Sequence, residues 1–195
     1  MSTGNREHLK KRVATTQLGF WIYLMTDLML FSAFFATYMV LRHGVNGGVG
    51  PADIVMPEYA LTQTLLLLAS SFTCGLAYTA LRHHHKNQAL SFLGATIVLG
   101  LAFLAMEVYE FSSLYYESHS WMSSAFLSGF FGLVGLHGLH ILSGLVWALF
   151  IGDYISKKGT TEHSLRKFGM FTAFWHFLDI IWIFVFSIVY MMGVA

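Results

Sequence analysis

The chain has 195 residues, 56% hydrophobic and only 11% charged; an ordinary soluble domain carries roughly 25% charged residues, so this surface suits lipid rather than water. A formal net charge of +1, without a basic run long enough to track phosphates, argues against nucleic acid as a partner. The single cysteine, Cys74, excludes an internal disulfide, a C-x-x-C-H haem attachment, a zinc finger and any copper site needing two thiolates.

Crossing about 30 Å of hydrocarbon takes roughly 18 or more apolar residues. Five such runs occur, approximately Leu18 to Leu41, Tyr59 to Leu81, Ala89 to Tyr115, Ser124 to Gly152 and Phe168 to Val194. They predict an all-α, polytopic membrane protein, a single membrane domain over 1–195 built as a bundle of five transmembrane helices. Ahead of them, Met1 to Gln17 is polar and lacks the apolar core and cleavage site of a signal peptide, which reads as a short cytoplasmic arm.

Lys and Arg within short connections set orientation. The arm holds Arg6, Lys10, Lys11 and Arg12, the second connection Arg82 and Lys86, and the fourth Lys157, Lys158, Arg166 and Lys167; Arg42 alone falls on the opposite side. This puts the N-terminus inside and the C-terminus outside. The first connection, Arg42 to Glu58, is broken by Gly44, Gly47, Gly48, Gly50, Pro51 and Pro57, which end the helix.

Within the fourth span Ser124, Ser128, Gly132, Gly144, Ala148 and Gly152 follow an i, i+4 ridge interrupted by Leu136 and His140. Small residues on such a ridge let helix backbones approach, and tight packing outweighs any catalytic use of the glycines.

Four acids fall inside the spans: Asp27, Glu107, Glu110 and Asp179. No span interior holds Lys or Arg, so each carboxyl must be protonated, paired with histidine, hydrogen-bonded or turned to another molecule. Polar glue between helices and proton chemistry both remain open for Asp27 and Asp179, with glue the stronger reading. Glu107 and Glu110, three apart, share a helix face within reach of one partner, but the Glu-x-x-His element of di-iron bundles is missing. Glu110 also reads as a headgroup-level carboxylate beside Tyr109, Tyr115 and Tyr116.

His137 and His140 in Gly-Leu-His-Gly-Leu-His have the spacing of a metal pair, yet only His176 could join them inside the membrane, and bonding to carboxylates or carbonyls is favoured. His176 and Asp179 form another i, i+3 couple in which the acid can orient the imidazole or share a proton with it. His83, His84 and His85, flanked by Arg82 and Lys86, read as a solvated or lipid-attracted turn. A serine protease is disfavoured because Phe126 and Ile141 stand where Gly-x-Ser-Gly needs glycine ahead of Ser128 and Ser143.

Taken in order, these pieces resemble subunit III of the haem-copper terminal oxidases over almost the whole chain. The residues that carry the likeness are Gly19-Phe20-Trp21-Ile22-Tyr23 through Phe35-Ala36-Thr37-Tyr38 with Asp27, then Glu107-Val108-Tyr109-Glu110-Phe111, Gly135-Leu136-His137-Gly138-Leu139-His140, and Trp175-His176-Phe177-Leu178-Asp179-Ile180-Ile181-Trp182. The resemblance implies a chain without catalytic residues, metal or cofactor of its own. It would pack beside the catalytic subunit I, which holds haem and copper, and beside other oxidase subunits, retaining structural phospholipid and sustaining proton uptake and enzyme lifetime. On this pattern Asp27 lies near the proton-uptake side, while Glu107, Glu110, His137, His140, His176 and Asp179 brace the bundle. Arg42, Arg82, Lys157 and Lys158 are candidates to hold lipid phosphates.

With five spans the chain departs from the seven-helix mitochondrial form and is similar to the subunit of bacterial bo-type quinol oxidases, where an extension of the catalytic subunit supplies the missing pair of helices. The expected function is thus that of a non-redox subunit III of a respiratory quinol oxidase in a bacterial cytoplasmic membrane. The alternatives are subunit III of a bacterial cytochrome c oxidase and, from another class, a small proton-coupled transporter. Five spans do not divide into two equal inverted repeats, which disfavours the transporter.

Overall fold

The computed structural model describes residues 3–42, 44–45, 57–116 and 124–192. Its helices are α1 (Thr3–Leu41), α2 (Pro57–Arg82), α3 (Lys86–Tyr116), α4 (Ala125–Lys158) and α5 (Glu162–Val185), the last continued by a π-helical turn, Phe186–Met191. Among the described residues, five helices are long and apolar enough to cross a membrane: Ala14–Leu41, Glu58–Arg82, Lys86–Leu114, Ala125–Lys158 and Glu162–Met191. The all-helical, five-span reading therefore holds. Most of the connection from Arg42 to Glu58, and the end of the fifth apolar run at 193–194, lie outside the described residues.

Several helices outrun the apolar stretches that mark them. α1 begins at Thr3, so the polar arm is helical backbone, and α4 continues past Gly152 to Lys158. The reason is local: i→i−4 bonding needs no apolar side chain, and helices stop where capping chemistry stops them. Ser124 accepts from the Leu127 N–H at 3.1 Å to open α4. Gly159, at φ +72°, closes it by donating to the Ile155 carbonyl at 2.9 Å, in a conformation that side-chain-bearing residues rarely adopt. Two residues later Thr161 caps α5 by accepting from the Ser164 N–H.

α2 and α3 form the most intimate pair. α5 packs on α2, α4 and α1, and α4 packs on α3, α5 and α1, so α1 rides on the outside of the α4–α5 pair. α5 is the most buried of the five spans and α1 the least. The outward face of α1, including Leu18, Ile22, Met25 and Met29, is exposed.

The connections α2–α3 and α4–α5 meet at one end. His84 Nδ1 lies 3.2 Å from Thr160 Oγ1, and Lys86 Nζ donates to the Ser156 carbonyl at 2.7 Å. His83, His84 and His85 are exposed, consistent with a solvated turn, and His84, at φ 60°, also ties the two connections together.

Candidate functional site: buried polar contacts between the helices

The α2–α5 seam is stitched by hydroxyls. Trp175 Nε1 donates to Ser70 Oγ at 3.1 Å, and Ser70 Oγ in turn donates to the Thr96 carbonyl of α3 at 3.3 Å. Farther along, Trp182 Nε1 donates to Thr64 Oγ1 at 3.0 Å. In hydrocarbon each such indole N–H needs a partner, and the small serines and threonines of α2 supply one without separating the helices.

Glu107 and Glu110 part company despite their shared face. Glu110 turns to α2 and α5: the Tyr190 hydroxyl donates to both of its carboxyl oxygens at 3.1 Å, and Gln63 Nε2 approaches Oε2 at 3.4 Å. Tyr190 belongs to the π-helical turn, whose extra residue per turn re-aims side chains relative to a continued α-helix. Glu110 is thus engaged by α2 and the π-helical turn, while the side chains of Tyr115 and Tyr116, beside which the sequence reading set it, lie outside the described residues. Glu107, 2% exposed, turns to α4 and packs its carboxyl on Gly138, where a Cβ would stand 2.8 Å from Cδ; its Oε2 has no partner among the described residues.

The two α4 histidines also diverge. His137 is fully buried against Trp182, Phe103 and Phe31, with ring centroids 5.1, 5.9 and 6.3 Å away, and neither of its nitrogens has a hydrogen-bond partner among the described residues. For His137, bonding to a carboxylate or carbonyl, the favoured sequence reading, is therefore not what is seen. His140 does bond in that way. Its Nδ1 donates to the Leu136 carbonyl at 2.8 Å, and its Nε2 stands 3.6 Å from Asp27 Oδ2 across the α1–α4 contact. Because a carbonyl only accepts, Nδ1 carries a hydrogen. A further proton on either Nε2 or Asp27 lets the two groups attract, whereas its absence sets two lone pairs against each other.

His176 and Asp179 stand 3.8 Å apart, Nδ1 to Oδ2, but His176 Nδ1 is hydrogen-bonded to Ser71 Oγ of α2. Ser71, His176 and Asp179 together have the composition of a hydrolytic triad without its geometry. A triad uses one ring nitrogen for the acid and the other for the serine, and here both groups face Nδ1. Ser128 and Ser143 donate to the backbone of their own helix, at the Ser124 and His140 carbonyls. Among the described residues no three His, Cys, Asp or Glu side chains gather closely enough to hold a metal ion.

Of the basic candidates, Arg82, Lys157 and Lys158 are exposed at the end where the α2–α3 and α4–α5 connections meet. Lys157 already pairs with Asp153 at 2.8 Å. Arg42 ends α1 at the opposite end, its N–H donating to the Tyr38 carbonyl.

Sequence reasoning missed Ser71, Gln63 and Tyr190, the partners of His176 and Glu110. A signal was present, since Gln63 and Ser70, and Thr64 and Ser71, repeat at i, i+7 and so lay a polar stripe along one face of α2.

A family model described as cytochrome c oxidase subunit III matches residues 2–194. Among curated proteins the chain is 46% identical over 189 residues to the cytochrome bo(3) ubiquinol oxidase subunit 3 of Pseudomonas aeruginosa, covering 97% of this chain and 90% of that one. It is 40% identical over 178 residues to the quinol oxidase subunit 3 of Bacillus subtilis, covering 91% and 87%. It is also 40% identical over 179 residues to the cytochrome c oxidase subunit 3 of Alkalihalophilus pseudofirmus, covering 91% and 87%.

Proposed function

Because the chain belongs to the cytochrome c oxidase subunit III family, we propose that it serves as the non-redox subunit III of a haem-copper quinol oxidase, a complex that couples quinol oxidation to oxygen reduction and proton pumping. The observation that carries this reading is the 46% identity, over nearly the full length of both chains, to a protein named as a ubiquinol oxidase subunit. Chemistry belongs to the catalytic subunit I, which holds haem and copper; this chain contributes assembly, lipid retention and sustained proton uptake.

The placement of its residues supports that division of labour. The intramembrane acids have separate neighbours: Asp27 at His140 of α4, Glu107 on Gly138 of α4, Glu110 on Tyr190, and Asp179 beside His176 of its own helix. That is a bracing pattern rather than the continuous relay a proton-coupled transporter needs. The setting is a bacterial cytoplasmic membrane, with the N-terminus inside and 1–195 as one membrane domain. The gathering of Arg82, Lys86, Lys157 and Lys158 at one end supports this orientation, because the cytoplasmic side retains basic loops. Arg82 and Lys158, exposed and without a side-chain partner among the described residues, can meet lipid phosphates there.

Purification in mild detergent tests the proposal. A haem protein should accompany the chain, and the complex should oxidise quinol rather than reduced cytochrome c. Isolation alone, or cytochrome c as the electron donor, would overturn the quinol assignment. Asp27→Ala should leave the haem spectrum of the assembled complex intact while shortening its active life under turnover; an unchanged lifetime would remove Asp27 from proton uptake.

A further inference from the structure

His176 is set at an unusual place. It lies near the middle of the Glu162–Met191 span, facing Ser71 near the middle of Glu58–Arg82, so it stands at the centre of the hydrocarbon, too far from either headgroup layer for so short a side chain to reach. Yet its side chain is 45% exposed, while Asp179 beside it is 8% exposed. Nδ1 is engaged by Ser71, and Nε2 makes no hydrogen bond among the described residues, although it is not enclosed like the nitrogens of His137. Whichever tautomer is present, Nε2 either donates or accepts.

The surroundings of that nitrogen form a groove. α1 and α2 each pack on α5, from its two sides, as the Tyr23–Phe174 and Phe35–Phe184 ring contacts and the Trp175–Ser70 and Trp182–Thr64 bonds show. Between them α5 exposes Ala173, His176, Phe177 and Ile180 in part or fully. Toward the basic end this strip opens into a crevice of about 310 Å³ lined by Phe20 and Trp21 of α1, Tyr78 of α2, and Arg166, Gly169 and Ala173 of α5. Ala173 and His176 are one helical turn apart, so the crevice leads to the imidazole.

A lipid chain could fill the apolar walls but offers Nε2 neither a donor nor an acceptor, and an unmet polar group in hydrocarbon is costly. We propose that this groove receives a transmembrane helix of another oxidase subunit, which presents a hydroxyl, amide or carboxyl side chain to His176 Nε2. The proposal rests on the reading of this chain as an oxidase subunit and adds where the neighbour docks.

The test uses the whole complex, extracted in mild detergent, with a photoreactive amino acid at Phe177 or at Ile180. Illumination should join this chain to the polypeptide of a different subunit. Adducts carrying only phospholipid, or only a second copy of this chain, would overturn the docking proposal while leaving the oxidase reading intact; failure of any haem protein to co-purify would remove both. In the same preparation His176→Leu should speed loss of the neighbouring subunit by about three- to tenfold, the effect of one intramembrane hydrogen bond, and His176→Gln, which keeps a donor and an acceptor, should restore it. Ser71→Ala removes only the bond inside this chain and should dissociate at the parent rate. If it reproduces the His176→Leu loss, the effect is internal packing and the docking contact is refuted.

Discussion

His137 and His140 sit one turn apart on α4, and their surroundings could hardly differ more. His137 is walled by Trp182, Phe103 and Phe31 in the sealed centre, with both nitrogens unpartnered among the described residues. His140 looks across the α1–α4 contact to Asp27, with Nδ1 held by its own helix. The centre therefore treats an imidazole as a flat ring to be packed, whereas the edge under α1 treats it as a polar group to be matched. Glu107 and Glu110 repeat the lesson, one carboxyl seated on Gly138 and the other bonded to Tyr190. A shared helical face places side chains side by side; what each does is decided by the neighbouring helix.

The largest expected effect comes from breaking the sealed centre. Trp182→Ala removes the ring that lies edge-on to Phe103 at 4.7 Å and tilted over His137, together with the bond to Thr64. It should destabilise the subunit by about 3–5 kcal/mol, read as the midpoint of its thermal release from the purified complex calibrated against denaturant. A loss below 1 kcal/mol, on the order of one intramembrane hydrogen bond, would mean that the aromatic box is not what holds the centre.

Next is Gly138→Ala. Its methyl group would stand where the Glu107 carboxyl now rests, and α3 or the carboxyl must move, at a cost of about 1–3 kcal/mol in the same assay. An undisturbed midpoint would show that Glu107 is not seated there. The smallest effect sharpens the contrast itself. His140→Leu should cost about 1 kcal/mol by ending the pairing with Asp27, while His137→Leu should be neutral or stabilising, since it replaces a buried ring whose nitrogens are unmatched. Equal losses from the two variants would erase the distinction between centre and edge.

Much of this architecture is legible in the residues alone. Apolar length marks the five spans because the bilayer sets a minimum that no other environment imposes. Helix ends are less legible: α1 runs back to Thr3 through a charged arm. The small-residue ridge of α4 is partly misleading. Each i, i+4 step overshoots a full turn by about 40°, so the row from Ser124 to Gly152 winds around the helix. Gly144 meets Trp175, where a Cβ would come within 2.9 Å, while Ser128 is exposed. Gly138, off that row, takes the closest approach of all. The polar site was legible as a set of residues, Asp27, Glu107, Glu110, His137, His140, His176 and Asp179, but not as contacts. The i, i+7 stripe of α2 singles out Gln63 and Ser71 as polar positions but not their partners, since neighbouring hydroxyls such as Thr62 and Ser187 bond only to their own backbone, and Tyr190 stands alone in an apolar run.

What the sequence determined by itself is thus the medium, the number of crossings and the inventory of groups that the membrane interior must neutralise, because hydrophobic length and the scarcity of charge are properties of a segment taken alone. Which acid meets which histidine, which glycine seats a carboxyl and which imidazole nitrogen is left facing outward were decided only when the helices packed. Those outcomes depend on the rotation of each helix about its own axis, and that rotation is set by contacts between residues distant in the chain.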